Sequence, residues 1–124
     1  MEQQVCRGMI CWLNGEIIPA DRASISVTDR GFLLGDGVFD TLLLLDGVPQ
    51  YLNQHINRLE ENADKLGIVP PKDLKDLGLI IRRLVKADGQ QQTRSVVRTT
   101  LSRGGGQRGL AIPDRAEPTL LVSL

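Results

Sequence analysis

Aromatic side chains are almost missing from this chain: Trp12, Phe32, Phe39 and Tyr51 are the only four in 124 residues. A surface that reads nucleic-acid bases by stacking normally carries more of them. No charge of either sign predominates, since 15 basic residues meet 15 acidic ones and the formal net charge is zero. That balance gives no global attraction to nucleic acid or to an anionic membrane. Long apolar runs are absent too. The longest, Met9 to Leu13, is far too short to span a bilayer. Cysteine is limited to Cys6 and Cys11, and a disulfide closing so short a loop would add little to a domain of this size. The chain starts with polar Met1-Glu2-Gln3-Gln4 rather than a signal-peptide pattern, so both are read as free thiols in a reducing cytoplasm. Histidine occurs once, as His55. One histidine and two cysteines fit no usual zinc-ligand spacing, so no metal site is expected. No Gly-x-Ser-x-Gly elbow is present to support a serine–histidine–aspartate triad.

What remains is an ordinary globular composition, 41% hydrophobic and 24% charged, long enough for one domain and one modest core. Residues 1–8 read as a disordered lead-in, 9–117 as a small domain, and 118–124 as a final strand leading onward to a missing second domain. Within the domain, Asn14-Gly15 between two apolar runs is the strongest short hairpin signal. Ser24 to Val27 alternates and reads as a short extended piece. Val38 to Leu45 reads as a buried strand, Asp46-Gly47 as a turn, and Val48 to Tyr51 as the return. Leu52, Ile56, Leu59, Ala63 and Leu66 form one helical stripe, with Asn53 as N-cap and Gly67 just past the end. After Pro70-Pro71, a second amphipathic helix is expected from about Asp73 to Ala87, facing inward through Leu74, Leu77, Ile81, Leu84 and Val85. Ser95 to Leu101 and Thr119 to Ser123 read as strands around a glycine-rich loop. This order predicts an α+β fold: an antiparallel-rich sheet with two helices on one face.

Gly104-Gly105-Gly106-Gln107-Arg108-Gly109 satisfies the literal Gly-x-Gly-x-x-Gly pattern, but no helix opens after it, so a dinucleotide site is rejected. Arg94, Arg98, Arg103 and Arg108 form a basic stretch that reads as a solvated strand face or an anion site. Arg58 sits roughly 120° from the centre of its helix's apolar stripe at about 100° per residue. From pattern alone it is a surface arginine pairing with Glu61, or a grip for an anion.

Two segments carry a more specific signal. Residues 29–41 read Asp29-Arg30-Gly31-Phe32-Leu33-Leu34-Gly35-Asp36-Gly37-Val38-Phe39-Asp40-Thr41, and His55-Ile56-Asn57-Arg58-Leu59 follows. Three glycines in so short a span describe a tight loop that brings backbone close to something. Together these segments resemble the small N-terminal domain of the two-domain, fold-type IV, pyridoxal-phosphate-dependent enzymes. That family contains class IV aminotransferases, D-amino acid aminotransferases and aminodeoxychorismate lyases.

The resemblance implies that Arg58 binds the cofactor phosphate, Arg108 a substrate carboxylate, and that Leu34 and Phe39 line the substrate pocket. It also implies a homodimer and an amino-acid or keto-acid substrate. Many members carry an aromatic where Leu34 stands and glutamate where Asp40 stands, which leaves side-chain specificity open. Leu110, where D-amino acid aminotransferases tend to carry histidine, leans toward the lyase branch. The Schiff-base lysine is not found. Lys65, Lys72, Lys75 and Lys86 all occupy charged, solvent-type positions, so no catalytic residue is assigned and the chain alone is expected to be inactive. The expected function is therefore amino transfer or pyruvate elimination by a parent enzyme. The alternatives are a stand-alone dimerisation or binding module, or an unrelated small protein whose basic loop binds phosphate or RNA.

Overall fold

A computed structural model describes residues 9–89, 92–107 and 109–124. The expected lead-in, 1–8, and Arg108 lie outside the described residues. Among the described residues six strands form one sheet: β1 (Ile10–Leu13), β2 (Glu16–Pro19), β3 (Gly37–Leu45), β4 (Val48–Pro49), β5 (Arg94–Ser102) and β6 (Thr119–Ser123). Their order is β2-β1-β6-β5-β3-β4, and every pairing is antiparallel. Asn14 and Gly15, with φ of 48° and 103°, turn the first hairpin as a type I′ pair must. Asp46-Gly47 does the same between β3 and β4, with φ of 49° and 77°.

Two helices cover one face of the sheet: α2 (Leu52–Lys65) and α3 (Leu77–Asp88). Side chains alternate across a strand. Leu42 and Leu44 of β3, Val97 and Leu101 of β5, and Leu120 and Val122 of β6 therefore point at the helices. They form one core with Leu59, Ala63, Leu77, Ile81 and Leu84. Full burial of each large aliphatic side chain contributes about 1.5–3 kcal/mol before entropy is set against it. Ile80 joins this core as well, and Val85, partly buried, packs against it as expected.

Several local expectations change. β3 is buried on one face only, with Phe39 and Leu45 exposed on the other. The return strand stops at Pro49, because Tyr51 adopts a left-handed φ of 54° and itself precedes α2. Tyr51, not Asn53, holds the N-cap position. At the other end Gly67 is the residue past the cap: its N–H donates to Asp64 O and that of Ile68 to Ala63 O, the paired closure of a Schellman motif. The second helical segment opens as a tight 3₁₀ stretch, Lys72–Asp76, before α3 begins. Ser24 to Val27 forms no strand.

The glycine loop is the largest difference. Residues 30–34 form a short helix, α1 (Arg30–Leu34), capped by Asp29, whose carboxylate accepts from Gly31 N–H at 2.8 Å. The close approach is to the protein's own chain. A Cβ on Gly37 would lie 2.6 Å from Leu101 O, and one on Gly31 2.5 Å from Ser102 Cβ. These glycines let the bend lie flat against β5 and its exit.

Candidate cofactor and substrate site

Arg58 leaves α2 toward β3, not toward Glu61. Its Nε–H donates to Asp40 Oδ1 at 2.8 Å, and Nη2 reaches the same oxygen. Nδ1 of His55, one helical turn earlier, lies 2.5 Å from Asp40 Oδ2, so a proton on Nδ1 donates to the carboxylate. Asp40 is buried, while the Arg58 side chain remains 59% exposed. Two polar side chains thus meet at one carboxylate, and the outer N–H groups on Nη1 of Arg58 have no partner among the described residues. A guanidinium oriented by one fork edge and open on the other can take an oxyanion.

Adjacent residues on a strand face opposite ways. Phe39 therefore lies on the other face of the sheet from Asp40 and Arg58. There a cavity of about 710 Å³ opens, lined by Phe32, Phe39, Arg98, Thr100, Thr119 and Leu121 among others. The Arg98 guanidinium stacks over the Phe39 ring, 4.1 Å from its centroid, a cation–π contact set by the β3–β5 register. Strand β4 pairs only with Leu44 and Leu45, so the outer edge of β3 from Gly37 to Leu42 carries no strand among the described residues. Arg58 and Phe39 flank that bare edge from opposite faces.

Of the expected site residues, Arg58 and Phe39 thus sit at one edge. Leu34 is exposed at the end of α1 but does not line the cavity. Arg108 lies outside the described residues. The pattern did not single out Arg98, Asp40 or His55 for these contacts. An acid at the fourth position of the strand after the bend was the available signal for Asp40.

A second ionic cluster underlies the bend. Asp36 accepts from Arg103 Nε at 2.7 Å and from Arg30 Nε at 2.8 Å. Burial pushes the Asp36 carboxyl upward, but the hydrogen bonds and charges of Arg103 and Arg30 outweigh it and hold it below the ordinary carboxylate value. Arg103 also donates to the carbonyls just past the end of α2, Leu66 O at 2.6 Å and Gly67 O at 3.4 Å, where a cation complements the helix dipole. In β1, burial raises the pKa of the Cys11 thiol. No helix of the described residues is long and apolar enough to cross a membrane. No cluster of metal-ligating side chains is found among them either.

An α+β domain with an antiparallel sheet, two covering helices and an arginine–carboxylate pair at the sheet's bare edge defines the class. Known proteins define the family. Residues 37–124 match the amino-transferase class IV family, and the chain belongs to it. It is 31% identical over 110 residues to the aminodeoxychorismate lyase of Bacillus subtilis, covering 89% of this chain and 38% of that protein. It is 27% identical over 112 residues to the D-alanine aminotransferase of Staphylococcus aureus, covering 90% and 39%. Among solved structures, the 4-amino-4-deoxychorismate lyase of Pseudomonas aeruginosa superposes with a TM-score of 0.71 at 37% identity, over 91% of this chain and 38% of that one. The chain therefore spans under two-fifths of the relatives it matches, and it corresponds to their N-terminal part. The family is pyridoxal-phosphate-dependent.

Proposed function

We propose that this chain is the cofactor-phosphate and substrate half of a pyridoxal-phosphate-dependent aminotransferase or aminodeoxychorismate lyase. The carrying observation is the Arg58 guanidinium, pinned by Asp40 yet more than half exposed beside the uncovered edge of β3. Its free edge suits a phosphate. Bound there, the cofactor would supply an electron sink for bonds around the substrate's amine-bearing carbon. Phe39 and Arg98 border the place where the substrate would lie, Leu34 stands outside that cavity at the end of α1, and Arg108 would hold its carboxylate. The Asp40 carboxylate fixes the Arg58 fork, and His55 fixes Asp40, so the grip is set before the ligand arrives.

None of the four lysines fits the bond-forming amine. Lys65, Lys72, Lys75 and Lys86 are exposed on helical segments, and none contributes to the described contacts of Asp40, Arg58 or Phe39. In this reading that lysine comes from further polypeptide, and the chain by itself performs no turnover. Exposed Val27, Phe32 and Leu33, the first two 76% accessible, favour cover by protein. A further domain and a second copy in a homodimer are the proposed partners, in the cytoplasm.

The test is a titration of the chain with pyridoxal phosphate and, separately, pyridoxal, following the Arg58 guanidinium resonance by NMR. The phosphate form should shift it and pyridoxal should not. Arg58→Gln should abolish the difference. Equal response to both ligands would overturn the assignment. So would stoichiometric labelling of one lysine after borohydride reduction, accompanied by transaminase or lyase turnover.

A further inference from the structure

Asp29 and Arg98 are the charged side chains among the described residues that line the cavity beside Phe39. The Asp29 carboxylate is buried and fully engaged. It accepts from Gly31 N–H at 2.8 Å, Ser102 Oγ at 3.0 Å and Thr119 Oγ1 at 2.7 Å. Arg98 is exposed and open. Its Nε–H reaches Thr100 Oγ1 at 3.4 Å, and no carboxylate pairs with it among the described residues. Strand register explains its direction. Arg98 stands opposite Thr41 on β3, while Phe39 stands opposite Thr100, two positions nearer the bend. To lie over the Phe39 ring, the side chain leans along the sheet toward the bend. That contact uses the face of the ring and leaves Nη1 and Nη2 of Arg98 without partners among the described residues. Ile25, Val27, Phe32, Val38 and Leu121 supply apolar walls. One unpaired cation thus stands in a mainly apolar hollow.

We propose that Arg98 is a specificity-determining residue, which selects substrates whose side chain carries its own carboxylate on an apolar frame. The proposal rests on the reading of this cavity as the substrate side of a pyridoxal-phosphate-dependent enzyme, and adds which substrates the cavity prefers. Placement carries the assignment. Arg58 reaches β3 from the helical face, whereas Arg98 lies on the opposite face and one strand further in, on β5. A substrate whose amine is worked on at the bare edge of β3 therefore meets Arg98 with its far end, not with the atoms that react. There the planar fork offers two parallel donors to a carboxylate, and the walls shelter the frame that bears it. A neutral apolar side chain would cover the guanidinium without pairing it, and that desolvation disfavours it. Arg94 is the natural comparison. It is exposed on the same face of the same strand, but it stands opposite Leu45 and does not line the cavity.

The experiment is an NMR titration of the full chain, without cofactor, with benzoate and with benzamide. The two probes share a flat apolar body and differ in charge. The Nε–Hε resonances of Arg98 and Arg94 and the ring of Phe39 are followed. Benzoate should shift Arg98 and Phe39 together, binding about fivefold more tightly there than benzamide does and about fivefold more tightly than at Arg94. Arg98→Gln should weaken benzoate at the Phe39 ring by about the same factor. Equal binding of benzamide, an equal response at Arg94, or undiminished binding by Arg98→Gln overturns the proposal. The comparison of two probes at two arginines uses the unaltered chain, so it stands even where the variant fails to fold. Arg58→Gln should leave the benzoate response at Arg98 unchanged. The response of Arg58 to pyridoxal phosphate is read at a different guanidinium on the other face of the sheet. Its failure beside intact benzoate binding would count against the cofactor assignment, and the reverse result would strike the substrate preference alone.

Discussion

Gly37→Ala tests directly the close approach of the bend to the protein's own chain. Gly37 opens β3 and pairs with Ser102 of β5. An added Cβ would sit 2.6 Å from Leu101 O and 3.0 Å from Ser102 Cα, both backbone atoms in the centre of the sheet. Ordinary contact begins near 3.4 Å, so β3 and β5 must part by several tenths of an ångström at their hydrogen-bonded end. Overpacking of this kind costs about 1–3 kcal/mol. For a chain of this size that corresponds to a fall of roughly 4–12 °C in melting temperature. Gly35→Ala is the comparison. There φ is +66°, but nothing lies within 4 Å of the new Cβ, so only left-handed strain of about 1 kcal/mol is incurred. Thermal unfolding followed by circular dichroism should rank the two: Gly37→Ala lower, Gly35→Ala between it and the unaltered chain. If Gly37→Ala melts with or above Gly35→Ala, the glycine serves something other than chain-to-chain proximity, and approach to a ligand returns as its explanation.

Two further outcomes are expected. Asp29→Ala should cost about 1–3 kcal/mol, measured by urea unfolding, because the buried carboxylate caps α1 and also accepts from Ser102 Oγ at 3.0 Å and Thr119 Oγ1 at 2.7 Å. A loss below about 0.3 kcal/mol would contradict that account. Asp36 has a folded pKa below its ordinary value, so the stability it contributes is complete above the unfolded value and drains away as pH falls through the folded one. The stability gap between the unaltered chain and Asp36→Asn should hold steady from neutrality to about pH 4 and narrow below it. A gap that widens in acid would reverse the sign and refute the ion-pair explanation.

Local chemistry was readable in advance, and long-range chemistry was not. Asn14-Gly15 and Asp46-Gly47 announce their hairpins because a turn depends on neighbours alone. The stripe from Leu52 to Leu66 announces α2, and Gly67 its end, for the same reason. α1 stayed hidden because Gly31 and Gly35 read as loop, while the cap that makes the helix needs only Asp29. The 3₁₀ entry to α3 stayed hidden because its residues share the helix's polarity pattern. In the site, Arg58 was singled out by resemblance. Its partner Asp40 lies on another element and is brought to it by the packing of α2 on β3. Arg98 meets Phe39 only through strand register, and Arg30 meets residues 109–111 from the far end of the chain. No periodicity encodes such meetings.

The place of β6 between β1 and β5 has a consequence for the order of assembly. As a ribosome releases the chain, the first hairpin emerges early but has no neighbour to dock against until the residues of β6 arrive. Until then the polypeptide holds two separate ribbons, β1 with β2 and β3 with β4 and β5, and the apolar sides of both stand open. Cys11 waits longest, since its partner across the ladder is Ser123. The slowest closure, joining strands from opposite ends of the sequence, is also the one that makes a single sheet. A chaperone engaging the nascent protein would meet an unzipped seam at its centre rather than a frayed margin.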